Sequence, residues 1–151
     1  EALISHGWNR IVIVNGHGGN CPAIGEVAAR VSRQKDALVV PFTWFDDVDT
    51  DLEMGHAGPI ETSFLLHQYP ELVHEDRIQE AVEDAAERWG EWVGSTNLAH
   101  DPAEFTDNGV VSDRSEASAA EGGALLESAT DALQELLAAV ADRDLSRPPH
   151  K

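Results

Sequence analysis

The sequence predicts an α/β fold built on a mainly parallel sheet, and three features of the chain lead to that prediction. A β-branched run, RIVIVN at residues 10–15, is followed by the glycine-rich stretch GHGGN and then by apolar residues at helical spacing. A second apolar run, ALVVPF, occupies residues 37–42. Strand, short loop, helix and strand in this order form a βαβ unit, which places its two strands parallel in one sheet.

The first strand and helix follow from local residue preferences. The strand at 10–15 is apolar on both faces, which is typical of a central strand in a parallel sheet. Asn20 is a good N-cap, and Pro22 falls in the first helical turn, where its missing N–H does no harm. Apolar residues from Ile24 to Val31 then recur at the spacing of one helix face.

The middle of the chain predicts a loop and then a helix. Residues 43–55 show no period and are predicted as loop. Pro59 begins a helix on which Ile60, Phe64 and His67 share a face, and Pro70 ends it or begins a turn.

The last third predicts a weak helix, an irregular segment and a strong helix. Residues 77–93 have a weaker helical pattern, and residues 96–114 are irregular. Ser118 and Glu121 match a capping box, and apolar residues at helical spacing then continue to Val140.

Length and charge limit the class of protein. The 151 residues, 42% of them hydrophobic, suit a single globular domain covering residues 1–151, with a frayed tail over 143–151. The net charge of −18 disfavours nucleic acid and anionic membrane as partners. The acidic residues are scattered, which favours adaptation to high salt over a dedicated cation-binding surface.

Cysteine usage and the start of the chain carry further expectations. Cys21 is the one cysteine, which excludes an intrachain disulfide and is consistent with a cytoplasmic protein. No apolar stretch is long enough to span a membrane, and no signal peptide is visible. The chain begins with Glu1 and opens as if at the end of a helix, so we expect that an N-terminal portion is missing.

The first candidate site follows the strand at 10–15. Ligands of parallel α/β sheets bind beyond the carboxyl ends of the strands, where His17 lies. An imidazole there can bind a metal or transfer a proton. Gly18, Gly19 and the helix start at Asn20 direct free backbone N–H groups toward the same region, where they could stabilise negative charge on a substrate. The alternative is a tight strand-to-helix turn with a capping asparagine.

The second candidate site is HAGPIETS at residues 56–63. Glu61 falls in the first turn of a predicted helix, and His56 lies in the preceding loop. Both could converge with His17, but a carboxylate is common at a helix start for structural reasons alone. Tryptophans in general are predicted to be core residues, and Trp44 is also a candidate for contact with a substrate because it precedes a loop near the predicted site.

These two motifs in this order resemble the creatininase (creatinine amidohydrolase) family. VNGHGGN at 14–20 and HAGPIETS at 56–63 carry the resemblance, with a looser match in GVVSDRSEASAAEGGALLES at 109–128. The resemblance covers nearly the whole chain but about the C-terminal half to two-thirds of the family's domain. It implies a three-layer α/β/α fold, a divalent metal pair (zinc, manganese or iron) and a homo-oligomer acting on a small-molecule amide.

The resemblance also assigns roles to individual residues. A metal-held hydroxide would attack an amide-type carbonyl carbon, with His17 as a metal ligand and His56 carrying a proton to the leaving nitrogen. Glu61 matches an acidic residue of the site and could also help to bind metal. Gly19 stands where creatininase proper has a metal-binding glutamate, which weakens the case for creatinine as substrate.

The other family ligands lie in an N-terminal segment of the form Glu-x-His followed by Asp, and nothing before His17 has that pattern. The ligand set is therefore expected to be incomplete, and this chain alone to bind metal poorly and be inactive. Three hypotheses stay open: an amidohydrolase of a cyclic amide, formamide, peptide-like amide or related C–N bond; a formylamino-pyrimidine nucleotide deformylase of flavin or deazaflavin biosynthesis; and a non-catalytic α/β domain.

Overall fold

The computed structural model describes residues 1–34, 36–113 and 115–146, which form two compact units. The first unit comprises Glu1–Val48 together with the chain from Ala129 onward. The second unit comprises Asp49–Ser128.

The first unit contains the predicted βαβ arrangement. After a short helix α1 (Ala2–Ser5), strand β1 (Arg10–Asn15) pairs in parallel with β2 (Leu38–Thr43), and helix α2 (Cys21–Gln34) connects the two. The register sets Asn15 opposite Thr43, so both strands end at the same level. The mixed α/β fold with a parallel sheet is therefore confirmed.

The core of this unit lies between α2 and the sheet. Ala28 and Val31 of α2 pack with Val39 of β2, and Ile11 and Ile13 of β1 lie against this cluster. Strand β1 pairs with β2 alone among the described residues. Its predicted burial on both faces is wrong for the described chain, because Val14 is 59% exposed.

The second unit is built from short helices and a small hairpin. Helix α3 (Pro59–Gln68) begins and ends where the prolines predicted. Its buried face carries Ile60, Ser63 and Leu66, whereas His67 is exposed, so the predicted face that included His67 is wrong. Val111 forms isolated bridges with His56 and with Ala86.

The predicted helix over 77–93 is also wrong beyond its first turns. Helix α4 (Ile78–Glu83) is short, and strands β3 (Trp92–Val93) and β4 (Thr96–Asn97) form an antiparallel hairpin. Gly90 and Gly94 have φ values of +79° and +60°, which a helix does not accommodate. The helix already ends before the segment in which Ala86 bridges to Val111, and the glycines exclude helical backbone further along.

The last helix, α5 (Ala119–Asp142), confirms the strongest helical pattern in the sequence. Ser118 caps it, because its Oγ accepts the Glu121 N–H at 3.1 Å. The second bond of the predicted capping box, from the Ser118 N–H to the Glu121 carboxylate, does not form. The Ser118 N–H donates to Ser63 Oγ instead, and Glu121 Oε1 accepts from Thr50 Oγ1.

The C-terminal end of α5 is tied to β1. Arg10 donates to the carbonyl oxygens of Val140 at 3.0 Å and Arg143 at 2.8 Å. A guanidinium at these carbonyls favours the helix end electrostatically. Of the tail predicted to fray, residues 147–151 lie outside the described residues.

Three of the four tryptophans contradict the prediction that they are core residues. Trp8, Trp89 and Trp92 are 63%, 38% and 40% exposed. Trp44 is half-buried. No helix in the described part of the chain combines the length and apolarity that a bilayer span requires.

Candidate functional site

His17 lies immediately beyond the carboxyl end of β1, as the sequence predicted. Its side chain is exposed, and its backbone is extended, with φ −145° and ψ 126°. A short 3₁₀ helix, Gly18–Asn20, follows and leads directly into α2. The imidazole therefore projects from the junction between a strand and a helix, and it is accessible.

Asn15 holds the His17 backbone from both sides. Its Oδ1 accepts the His17 N–H at 3.3 Å, and its Nδ2 donates to the His17 carbonyl at 2.9 Å. The same amide contacts Thr43 Oγ1 at 3.2 Å and Cys21 Sγ at 3.4 Å, and it accepts from Asn20 Nδ2 at 3.2 Å. Asn15 itself is 3% exposed, and its bond to Thr43 is buried, so the amide needs these partners in place of water.

Glycine is required at position 19 for a steric reason, since the His17 imidazole lies directly above it. A Cβ at Gly19 would lie 2.9 Å from His17 Nε2, so a side chain there would displace the imidazole. The prediction of a free N–H at Asn20 is wrong, because this N–H donates to the His17 carbonyl at 3.1 Å. The substrate-binding roles of Gly18, Gly19 and Asn20 stay predictions.

Trp44 begins a 3₁₀ turn, Trp44–Asp46, directly after β2. Its ring meets Phe45 edge to face, with centroids 5.7 Å apart. A Cβ at Gly18 would be in ordinary contact with Phe45 Cζ, at 3.9 Å. Phe45 rather than Trp44 is thus the aromatic residue beside the glycine loop, and contact between Trp44 and substrate stays a prediction.

In the second unit, α3 fixes the turn that carries His56. Ala57 adopts φ +49°, a left-handed conformation that costs free energy for an alanine. Glu61 Oε2 accepts the Ala57 N–H at 2.7 Å, and Thr62 Oγ1 donates to the Ala57 carbonyl at 3.3 Å. Glu61 therefore has the structural role of a helix-start carboxylate. Its catalytic role stays a prediction.

His56 and Glu61 line the same cavity, of about 570 Å³. Its apolar wall includes Leu65, Leu72, Val73, Ile78 and Val110, and its polar wall includes His74, Arg77, Glu80, Asp84 and Asn108. Arg77 is paired with Glu80 at 3.0 Å, and this hydrogen bond lowers the pKa of the Glu80 carboxyl. The cavity combines one apolar side with several groups that can hydrogen-bond a ligand.

The structure thus brings together two of the three residues expected to share a site. His56 and Glu61 meet at one cavity of the second unit, while His17 belongs to the first unit, so the convergence of all three stays a prediction. Within the described ranges, no group of three or more His, Cys, Asp or Glu side chains is arranged to hold a metal ion. His17 offers one accessible imidazole as a potential ligand.

Sequence reasoning missed the residues that support the site. Asn15 could have been found, since a polar residue that ends an apolar strand commonly has a specific bonding role. Trp89 gave no local signal, because its contact with His56 spans 33 positions of the chain. His74 and Arg77 line the cavity because of the tertiary fold, and no local sequence pattern predicted this.

Comparison with known proteins identifies relatives over most of the chain. The family model for creatininase, described as creatinine amidohydrolase, matches residues 1–137. The chain is also 42% identical over 71 residues to the mycofactocin precursor peptide peptidase of Mycolicibacterium smegmatis, a match that covers 46% of this chain and 26% of that protein.

Solved structures of creatininases have the same fold. The structure of a creatininase in its Mn form superposes with a TM-score of 0.68 at 27% identity, covering 90% of this chain and 58% of that one. A mutant creatininase of Zn–Zn type gives a TM-score of 0.63 at 27% identity, covering 90% and 59%. The chain therefore spans about three fifths of the length of the solved relatives it matches.

Proposed function

The chain belongs to the creatininase family, and we propose from that membership that the protein of which it forms part is a metal-dependent amidohydrolase. The matched peptide peptidase and creatininases support hydrolysis of a C–N bond in an amide-type substrate. The observation that carries the proposal is the shared cavity of His56 and Glu61, and it supports the proposal because an imidazole is a side chain able to transfer protons.

A divalent metal is part of the proposal. The matched structures include manganese and zinc forms of creatininase. His17 would supply one ligand, and its backbone is already fixed by the two hydrogen bonds to Asn15. When bound, such a metal lowers the pKa of a coordinated water and polarises the substrate carbonyl.

Groups of this chain would transfer the proton, position the catalytic histidine and stabilise negative charge on the substrate. His56 would donate a proton to the leaving nitrogen, since an imidazole exchanges protons near neutral pH. Glu61 would keep the His56 turn in place through its bond to the Ala57 N–H. The backbone N–H groups of Gly18 and Gly19 would favour negative charge on the substrate carbonyl oxygen.

A peptide-like amide is the second candidate substrate. Two observations favour it over a compact cyclic amide: the 42% identity to a peptide peptidase, and a cavity volume of about 570 Å³ with an apolar wall. Pockets that bury most of a drug-sized ligand span about 300–1,000 Å³. The apolar wall would take a side chain next to the cleaved bond.

The test is hydrolysis by the complete gene product, loaded with Mn²⁺ or Zn²⁺, of three probes: creatinine, a formylamino-pyrimidine and an unblocked peptide. We expect cleavage of at least one probe, with His17→Gln and His56→Gln each lowering kcat/KM by more than about 100-fold. Absence of cleavage of all three by the metal-loaded protein would favour the non-catalytic alternative. The 151-residue chain by itself is expected to show no turnover.

A further inference from the structure

We propose that Trp89 is a positioning residue that holds the His56 imidazole in one orientation. The indole lies nearly perpendicular to the imidazole, with ring centroids 5.5 Å apart and 82° between the ring planes. This arrangement is the favoured edge-to-face geometry of aromatic pairs. The inference rests on the proposed function in one respect, that His56 is the group carrying a proton.

The backbone of His56 is fixed before the indole acts on its ring. The His56 N–H donates to the Val111 carbonyl at 2.9 Å, and the Val111 N–H donates to the His56 carbonyl at 2.9 Å. These two bonds leave the side-chain torsions as the main freedom of the imidazole. The Trp89 contact restricts those torsions.

Trp89 is itself held on several sides. Phe105 packs against it at 5.1 Å and 70°, and Trp92 Nε1 donates to the Trp89 carbonyl at 2.6 Å. The next residue, Gly90, is buried, and a Cβ there would overlap the Asn97 amide. The β3–β4 hairpin and Phe105 therefore give the indole a defined position from which to restrain another ring.

The contact lies outside the cavity. His56 lines the cavity, whereas neither Trp89 nor Phe105 belongs to its lining. The indole thus restrains the imidazole without occupying ligand space. An aromatic pair of this kind favours one rotamer by a factor of about 2 to 10, and a proton donor that is already aligned needs less reorganisation during the reaction.

The experiment is NMR spectroscopy of the 151-residue chain labelled with ¹³C and ¹⁵N at histidine. In the wild type we expect NOEs between the His56 ring and Trp89, a ring-current shift of the His56 ring protons, and three-bond couplings of a single χ1 rotamer. Trp89→Leu should remove the shift and average the couplings, and Trp89→Phe should restore most of the single-rotamer signature. Trp8→Leu, at a tryptophan 63% exposed in the other unit, is the matched control and should match the wild type.

Unchanged couplings and ring shifts in Trp89→Leu would overturn the proposal. If that variant does not fold, Phe105→Leu removes the support behind the indole and is judged by the same two signals. Hydrolysis separates this inference from the proposed function. An active His56→Gln enzyme would refute the proton role of His56 and leave the rotamer result standing, whereas a fall of about tenfold in kcat with unchanged KM in Trp89→Leu would support both.

Discussion

At the residue scale, two buried polar side chains differ in whether their hydrogen-bonding groups have partners. Asn15 satisfies its amide through bonds to the His17 backbone and to Thr43. Ser112 is 7% exposed, has φ +80°, and its Oγ has no hydrogen-bond partner among the described residues. Substitutions at these two positions should therefore change stability in opposite directions.

Asn15→Asp should destabilise the loop that carries His17. The substitution replaces the donating amide with an oxygen that faces the His17 carbonyl, so the donors to His17 and Thr43 are lost. We expect the free energy of unfolding to fall by about 1–3 kcal/mol. Urea unfolding measures this, and hydrogen exchange should show a less protected His17 amide. Thr43→Val is the control, because it removes one partner and keeps both bonds to His17. Unchanged exchange at His17 in Asn15→Asp would contradict the role of Asn15.

Ser112→Gly should stabilise the protein. Glycine accepts the left-handed backbone at no steric cost, and it removes the unpaired hydroxyl. The gain should be about 1–2 kcal/mol in the free energy of unfolding. Ser112→Ala separates the two causes, since it removes the hydroxyl and keeps the strained φ. A loss of stability in Ser112→Gly would show that the hydroxyl has a partner of its own in solution.

At the element scale, helices α3 and α5 approach closely because α5 carries glycine at the contact. A Cβ at Gly122 would overlap the Ser63 carbonyl oxygen, and Ser63 is fully buried. The bond from the Ser118 N–H to Ser63 Oγ closes the same junction at 3.0 Å. Gly122 lies in the first turn of α5, where glycine has a lower helix propensity than alanine, so its presence has a packing reason.

Gly122→Ala should therefore destabilise the junction in spite of its better helix propensity. We expect a loss of more than about 2 kcal/mol in the free energy of unfolding, because backbone atoms have to move. The neighbouring Gly123→Ala is the matched control, since its Cβ would meet the exposed His67 ring at 3.2 Å and that ring can rotate away. The control should gain up to about 1 kcal/mol. Equal effects of the two substitutions in thermal unfolding would contradict this account.

The Glu104 carboxylate, at the end of the short 3₁₀ helix Pro102–Glu104, should make part of the protein's stability sensitive to acid. The backbone N–H groups of Asp101 and His100 donate to Glu104 Oε1 at 2.8 and 2.9 Å, which lowers the pKa of the Glu104 carboxyl below its ordinary 4.5. A folded-state pKa below the unfolded value stabilises the protein above pH 4.5, and this contribution is lost as the pH falls through the folded value. Glu104→Gln should flatten the acid limb of a plot of unfolding free energy against pH. If the unfolding free energy of Glu104→Gln falls with pH as steeply as that of the wild type, Glu104 does not contribute to the acid sensitivity.

At the scale of the whole molecule, charge is the dominant property. A net charge of −18 on 151 residues repels itself in the folded state. Added salt should relieve this repulsion, because the Debye length falls from about 10 Å at 0.1 M to about 3 Å at 1 M.

The melting temperature should therefore rise by several degrees between about 0.1 M and 1 M KCl. Calorimetry at both concentrations measures the change, and an equal osmolality of sucrose serves as the control for effects other than screening. A melting temperature that stays constant or falls with KCl would contradict adaptation of this surface to high salt.

The sequence by itself determined the elements whose signals are local. The β-branched run before the glycine loop, the proline that begins α3 and the long apolar repeat of α5 each depend on residues within a few positions, so β1, α3 and α5 were predictable. The same holds for the family, since NGHGGN and HAGPIETS are short motifs that can be recognised without knowledge of the fold.

The tertiary structure alone decided what surrounds those motifs. The edge-to-face contact of Trp89 with His56, the grouping of His74 and Arg77 with His56 at one cavity, and the hydrogen bond between Ser118 and Ser63 all join residues distant in the chain. Such contacts depend on packing of whole elements, and no local preference of backbone or side chain encodes them. The weak helical period at 77–93 failed for the same reason, because the bridge of Ala86 to Val111 and the β3–β4 hairpin replace the helix.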